Sequence, residues 1–210
     1  MNQKTEKEND MTESQTIDNL GLNVSGHIVI KDLETGEELV NKRNAIHYGN
    51  MAYIVAQALN AFNTENAFID RIAFGNGATS VDTAGKILYK TPRVSESYEN
   101  SAGLYSRTFD KRLNPGTTDT SITTVVGSSH TDIKVTCTLG YNEPNDADLF
   151  DTATNNEGDY VFDELGLFTY PTDGSSIDTS TMLTHVVFHP VQKSQNRKIE
   201  IVYTVRVQLS

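Results

Sequence analysis

Two histidines four residues apart, His185 and His189, form the pair with the most obvious claim to metal chemistry. On a helix that spacing would turn both imidazoles to one face, as a zinc site needs. Pro190 would end such a helix, however, and no Glu stands next to His185 to act as a base. On a strand the same spacing puts the two rings on one face roughly 13 Å apart, too far to share an ion. They read as structural histidines. Asp163 and Glu164 are adjacent acids within the apolar run from Val161 to Phe168. A strand sends neighbouring side chains to opposite faces, so these two cannot flank one scissile bond. One of them must then face inward and find a partner, because an unpaired buried charge is costly. A structural salt bridge from Glu164 to Arg197 or Lys193 is the expectation.

The glycine motifs carry less. Gly75-Asn76-Gly77 follows a strand, but the third glycine of a dinucleotide fingerprint is missing and no helix follows to receive a pyrophosphate. A glycine turn ending a strand explains it better. Gly85-Lys86 resembles the end of a phosphate loop, yet Ile87 stands where Ser or Thr is required and position 80 is Ser. Cys137 falls on the inward face of an alternating strand and reads as a packing residue. No Gly-x-Ser-x-Gly elbow occurs to anchor serine hydrolase chemistry. The loop from Asn142 to Asp159 is rich in oxygen ligands, but Phe150 breaks the EF-hand spacing. It reads as a solvated acidic loop, with an irregular calcium site as the alternative. No catalytic, cofactor-binding or metal-binding residue is assigned, and the chain reads as non-enzymatic.

The elements that would position these residues are mostly strands. The 210 residues include 25 Thr, 18 Asn and 15 Ser, a bias toward strands and turns. Alternation marks strands at Val24–Lys31, Glu37–Asn41, Ile69–Gly75, Leu104–Leu113, Ser121–Gly127, Asp132–Tyr141, Tyr160–Tyr170, Met182–His189 and Arg197–Leu209. The last is the clearest, with Ile199, Ile201, Tyr203, Val205, Val207 and Leu209 on one face. Met51, Ile54, Val55, Ala58, Leu59 and Phe62 recur at helical spacing, which predicts one helix with Asn50 as its N-cap. Long loops fall at 76–103, 142–159 and 171–181. The fold expected is mainly β: an antiparallel β-sandwich over 21–210 with one packed α-helix and an extended N-terminal arm at 1–20.

Charge bounds the partners. With 17 basic and 28 acidic residues the net charge is −11, which disfavours nucleic acid and anionic membranes as main partners. A single Cys excludes an internal disulfide and a Cys-based zinc finger. The opening ten residues lack the apolar stretch of a secretory leader. Between Lys134 and Lys193 there is no Lys or Arg, whereas Lys193, Arg197, Lys198 and Arg206 follow. Such a split lets the basic strand edge of one copy meet the acidic loop of another. Its alternative is plain solvation of both.

The order of the motifs adds a resemblance. Ile69 to Gly77, a loop holding Thr91-Pro92, Thr-rich strands, Phe162 to Phe168, the Met182-Leu183 strand and Lys193 ahead of the final strand occur in that order. The layout resembles attachment domains of tail fibre, collar and baseplate proteins of tailed bacteriophages. The segment from Leu183 to Arg197, with Asn44 to His47 and Asn50 to Ala52, is similar to further phage structural proteins. The resemblance spans about 24–209. It implies a virion structural protein, assembled in the host cytoplasm. Its partners would be other copies of itself, as a homo-oligomer, and neighbouring virion proteins, with no cofactor. The alternative within the same setting is a receptor- or carbohydrate-binding tip or a capsid decoration protein. Tyr98, Tyr105, Tyr141 and Tyr170 would be the aromatic contributors to such a binding tip.

Overall fold

The computed structural model describes residues 21–59, 68–94, 103–113, 117–144, 159–171, Gly174 and 176–209. The 1–20 arm, Phe62, Tyr98 and most of the acidic 142–159 loop lie outside the described residues. Among the described residues twelve strands and one α-helix follow in the order β1 Leu22–Asp32, β2 Glu38–Arg43, β3 Ala45–Ile46, α1 Tyr48–Leu59, β4 Ile69–Gly75, β5 Thr79–Val81, β6 Ile87–Tyr89, β7 Arg107–Arg112, β8 Thr120–Val126, β9 His130–Leu139, β10 Asp159–Thr169, β11 Thr184–Ser194 and β12 Ile199–Leu209, with a 3-10 turn at Ile177–Thr179 ahead of β11. Two five-stranded antiparallel sheets face each other, ordered β2-β1-β12-β9-β8 and β3-β11-β10-β4-β7, and β5 and β6 form a separate hairpin.

Period-two patterning drives this architecture. Ile199, Ile201, Tyr203 and Val205 of β12 turn inward beside Ile28 and Ile30 of β1 and Val135, Cys137 and Leu139 of β9. They meet Ile72, Phe74, Phe162, Leu165, Leu167, Val186 and Phe188 of the second sheet in one core. Each such side chain contributes about 1.5–3 kcal/mol by leaving water. The second sheet is buried on its outer face as well, where Ala73 and Phe168 pack with Leu104, Ile177 and Met182.

The helix departs from its sequence expectation. It begins at Tyr48 rather than after Asn50, and His47 caps it: His47 Nδ1 accepts the Asn50 backbone N–H at 3.2 Å. Asn50 is buried inside the first turn, where its Nδ2 donates to the Met182 carbonyl at 2.6 Å. The helix therefore hangs on the start of β11 by a polar tether. Ile54 is its buried anchor, Met51 and Val55 are half-buried, and Ala58 is exposed, so the apolar stripe narrows along the helix.

Two further differences matter for function. The expected loop at 76–103 contains the β5–β6 hairpin, and the expected strand at Met182–His189 runs on through Pro190 to Ser194. Proline lacks an N–H and is tolerated here because the ladder is irregular at that point. Phe162 pairs with Val191 but Glu164 pairs with Val187, so β11 bulges opposite Asp163.

Candidate functional site

The bulge changes where the two acids point. Tyr160 and Phe162 share the inter-sheet core with Leu165 and Leu167, so the alternation slips by one at 163–164. Asp163 and Glu164 consequently both reach the outer side of the second sheet, not opposite faces. Both are buried, and both bind main chain on that side, Asp163 at Ala78 and Thr79 and Glu164 at Gly77, Tyr105 and Ser106.

Glu164 takes four donors. Its Oε1 accepts backbone N–H groups from Ser106 at 2.8 Å and Gly77 at 3.2 Å. Its Oε2 accepts from the Tyr105 N–H and from His185 Nε2, both at 2.9 Å. The expected salt bridge to Arg197 or Lys193 is thus replaced by main-chain amides and a histidine. Arg197 instead pairs with Asp32, and buried Lys193 donates to the Ser194 carbonyl at 2.8 Å. Burial raises the Glu164 pKa, but the bonds from His185, Ser106 and Tyr105 outweigh it and hold the carboxyl below its ordinary value. Asp163 Oδ1 accepts the Ala78 N–H at 3.1 Å, and its Oδ2 accepts from the Thr79 N–H at 2.8 Å and the Thr79 hydroxyl at 2.5 Å.

His185 completes the cluster and His189 lies at its margin. The fully buried His185 ring accepts the Arg93 backbone N–H at Nδ1, 2.9 Å away. The exposed His189 meets the Tyr89 hydroxyl at 3.2 Å. The two histidines hold successive parts of one overlying segment and do not converge on an ion. Among the described residues no group of three His, Cys, Asp or Glu side chains could hold a metal.

Glycines make this close approach practicable. A Cβ on Gly75 would lie 2.5 Å from the Ser106 carbonyl and 2.6 Å from Glu164 Oε1. One on Gly77 would lie 2.6 Å from Ser106 Cβ. The Gly75-Asn76-Gly77 motif is therefore a docking groove for the chain at Ser106, with the Asn76 N–H donating to the Ser106 carbonyl at 3.0 Å.

What the cluster holds is the β5–β6 hairpin. The Lys90 N–H donates to the Ala78 carbonyl at 2.8 Å, and Lys90 Nζ reaches the Gly77 carbonyl at 2.6 Å. Lys90 and Arg93 lie over the Tyr105 ring at 4.5 and 5.4 Å, and the Tyr105 hydroxyl donates to the Thr91 carbonyl at 2.7 Å. The hairpin turn is fastened by Asp82, whose Oδ1 accepts the Ala84 and Lys86 N–H groups, and Gly85 takes the positive φ of 81° that the turn requires. Gly85-Lys86 is a hairpin turn and not a phosphate loop. So held, the hairpin exposes Val81 at 67%, Tyr89 at 52% and Leu88 at 46%.

Chemically, this arrangement positions chain rather than reacting. Each Glu164 oxygen has two donors, which fills its lone-pair directions, and Asp163 accepts three, one on Oδ1 and two on Oδ2. A proton could be taken from a substrate only by dismantling the clamp. Cys137 is buried in the core, where burial pushes its thiol up to about 12. Of the tyrosines named from sequence, Tyr98 lies outside the described residues; Lys198 lies over Tyr141, and Arg112 over Tyr170, which also packs on Phe68.

The sequence reading missed the hairpin. Its signal was present in Thr79–Val81 and Ile87–Tyr89 flanking Asp82-Thr83-Ala84-Gly85, a turn sequence between short β-favouring runs. In comparisons with known proteins, the chain matches no family model, no curated protein and no solved structure.

Proposed function

We propose that this chain is a non-enzymatic structural component of a tailed phage particle, in the tail, baseplate, neck or collar, that assembles with copies of itself and anchors neighbouring virion proteins. The observation that carries the reading is the use made of Asp163, Glu164 and His185. Three ionisable groups converge, and their hydrogen bonds join them to one another and to the main chain at Gly77–Thr79, Arg93, Tyr105 and Ser106, the stretches that seat one surface hairpin. A hairpin fixed this firmly, with Val81, Leu88 and Tyr89 exposed, is a preorganised docking element. The collinear motifs from Ile69 to Arg197 support the phage setting.

The basic residues of the final quarter also serve the fold of their own chain. Arg206 forms a two-pronged pair with Asp132 at 2.7 and 2.8 Å, and Lys198 covers Tyr141. The contact between copies is therefore assigned to apolar and main-chain surfaces, and not to the basic strand meeting an acidic loop. Mass spectrometry of density-gradient-purified particles from the encoding phage tests the function. The chain is expected in the particles at a fixed ratio to the other structural proteins, and its absence would overturn the proposal.

A further inference from the structure

One edge of the first sheet lacks the protection that the other edges have. Edge strands present unpaired N–H and C=O groups, and proteins blunt them with charge, proline or shortness. At the opposite edge β2 carries Glu38, Lys42 and Arg43; in the second sheet β7 carries Arg107, Asp110, Lys111 and Arg112, and β3 is two residues long. By contrast β8, Thr120-Ser121-Ile122-Thr123-Thr124-Val125-Val126, has seven residues with no charge and no proline. Five of the seven are exposed, Val126 at 78% and Val125 at 54% among them.

The register shows which groups point outward. Gly127 N–H donates to the His130 carbonyl at 2.8 Å, and Thr138 N–H donates to the Asp119 carbonyl at 2.7 Å. Odd-numbered residues of β8 therefore spend their main-chain groups on β9, with Thr123 opposite Lys134 and Val125 opposite Asp132. The N–H and C=O groups of Ile122, Thr124 and Val126 point away from the sheet. Among the described residues no strand pairs with them.

We propose that β8 pairs with β8 of a second copy, antiparallel about a two-fold axis at Thr124, to give a continuous ten-stranded sheet. The inference rests on the assembly reading above and names one partner for it. In this register Thr124 faces Thr124 of the other copy, and Ile122 faces Val126, so the outward main-chain groups of the three residues are matched reciprocally. The paired side chains are β-branched throughout, as cross-strand pairs favour. Ile122 and Thr124 also line an apolar cavity of about 490 Å³, together with Met51, Ile54, Ile133 and Val205. Pairing brings Val126 of the second copy to the mouth of that cavity.

Area admits a second copy as the occupant, and charge disfavours the competing arm. A seven-residue strip about 24 Å long across two layers about 20 Å thick covers about 500 Å² per copy, about 1,000 Å² in total, the lower bound for a specific interface. The competing occupant within the chain is the 1–20 arm, which has five acids against Lys4 and Lys7. An edge strand with no cation gives such an arm no electrostatic match. The net charge of −11 on each copy opposes the meeting of copies at long range, so added salt should strengthen pairing.

Sedimentation of the full chain, with two substitutions and one deletion, tests the proposal. Thr124→Pro removes an outward N–H at the axis and leaves the β9 ladder intact. It should raise the dimer dissociation constant at least tenfold. Thr124→Cys should form an oxidised dimer, since facing Cα atoms of this pair type lie about 5.5 Å apart. Val81→Cys, away from the axis, should not, and this crosslink readout holds even where the proline variant fails to fold. Deleting 1–20 should leave the dimer unchanged. A monomer at sub-millimolar concentration, a dimer lost with the arm, or equal crosslinking at Val81 would each overturn edge pairing. An oligomer indifferent to Thr124→Pro would overturn it while sparing the assembly reading, whereas absence from particles would overturn assembly and leave the dimer in solution standing.

Discussion

His185 Nε2 lies 2.9 Å from Glu164 Oε2, and neither side chain has any exposure to solvent. The other ring nitrogen fixes the roles of the pair: Nδ1 accepts the Arg93 main-chain N–H, which can only donate, so Nε2 is the nitrogen that donates to the carboxylate. Glu164 is thus a buried anion solvated by Gly77, Tyr105, Ser106 and His185. This relation ties sheet strands β10 and β11 to a segment up to 87 residues away in sequence.

Replacing Glu164 with Gln should be costly although the shape is kept. Whichever way the amide is turned, its NH₂ faces two donors that lose their acceptor. The expected loss is about 2–4 kcal/mol, or a Tm lower by roughly 5–15 °C, by calorimetry or urea denaturation. An unchanged Tm would show that the clamp contributes nothing to the fold.

Acid should erase that difference. The Glu164 carboxyl is held below its ordinary value of 4.5, so its contribution is complete above that value and is lost as pH falls through the lower folded value. The stability gap between the native chain and Glu164→Gln should be constant from neutral pH down to about pH 5 and shrink below it. A gap that widens in acid would contradict a depressed folded pKa.

Gly75→Ala should displace the chain at Ser106, because its Cβ would meet the Ser106 carbonyl and Glu164 well inside contact distance. A loss of about 1–3 kcal/mol is expected, with faster proteolysis of the 77–106 segment. Gly36→Ala serves as the control for backbone strain alone, since nothing lies within 4 Å of a Cβ there.

Cys137 should resist thiol reagents in the native state at pH 8. Its core position raises the thiol to about 12, so almost no thiolate forms and no reagent reaches it. Ellman's reagent should report one thiol only after denaturation. Rapid native reaction would place Cys137 outside the core.

How far the sequence revealed this molecule follows from the range of its signals. Ile199 to Val205 alternate strictly, so β12 and its inward face were legible, as were β4 and the inward Cys137. Two-residue periodicity is local and survives reading one strand at a time. The acids were misplaced because a bulge at 163–164 breaks that period, and the cause lies in the pairing with β11 around Pro190. Their partners were misjudged because charge counting looks for Arg or Lys, while Gly77, Tyr105 and Ser106 supply main-chain amides that have no letter of their own. His47 went unnoticed as a cap since Asn50 is the commoner capping residue, yet Asn50 was drawn inward by the Met182 carbonyl.

The clamped hairpin is the proposed element by which the chain docks into a particle. Phage carrying Val81→Asp with Leu88→Glu should make folded protein at native levels, because both side chains are exposed and neither takes part in the clamp. Quantitative mass spectrometry of gradient-purified particles should find the native chain at a fixed ratio and the doubly substituted chain depleted at least tenfold, left in the soluble lysate. Equal incorporation of both would contradict the docking role of the hairpin, and absence of the native chain from particles would contradict the structural assignment itself.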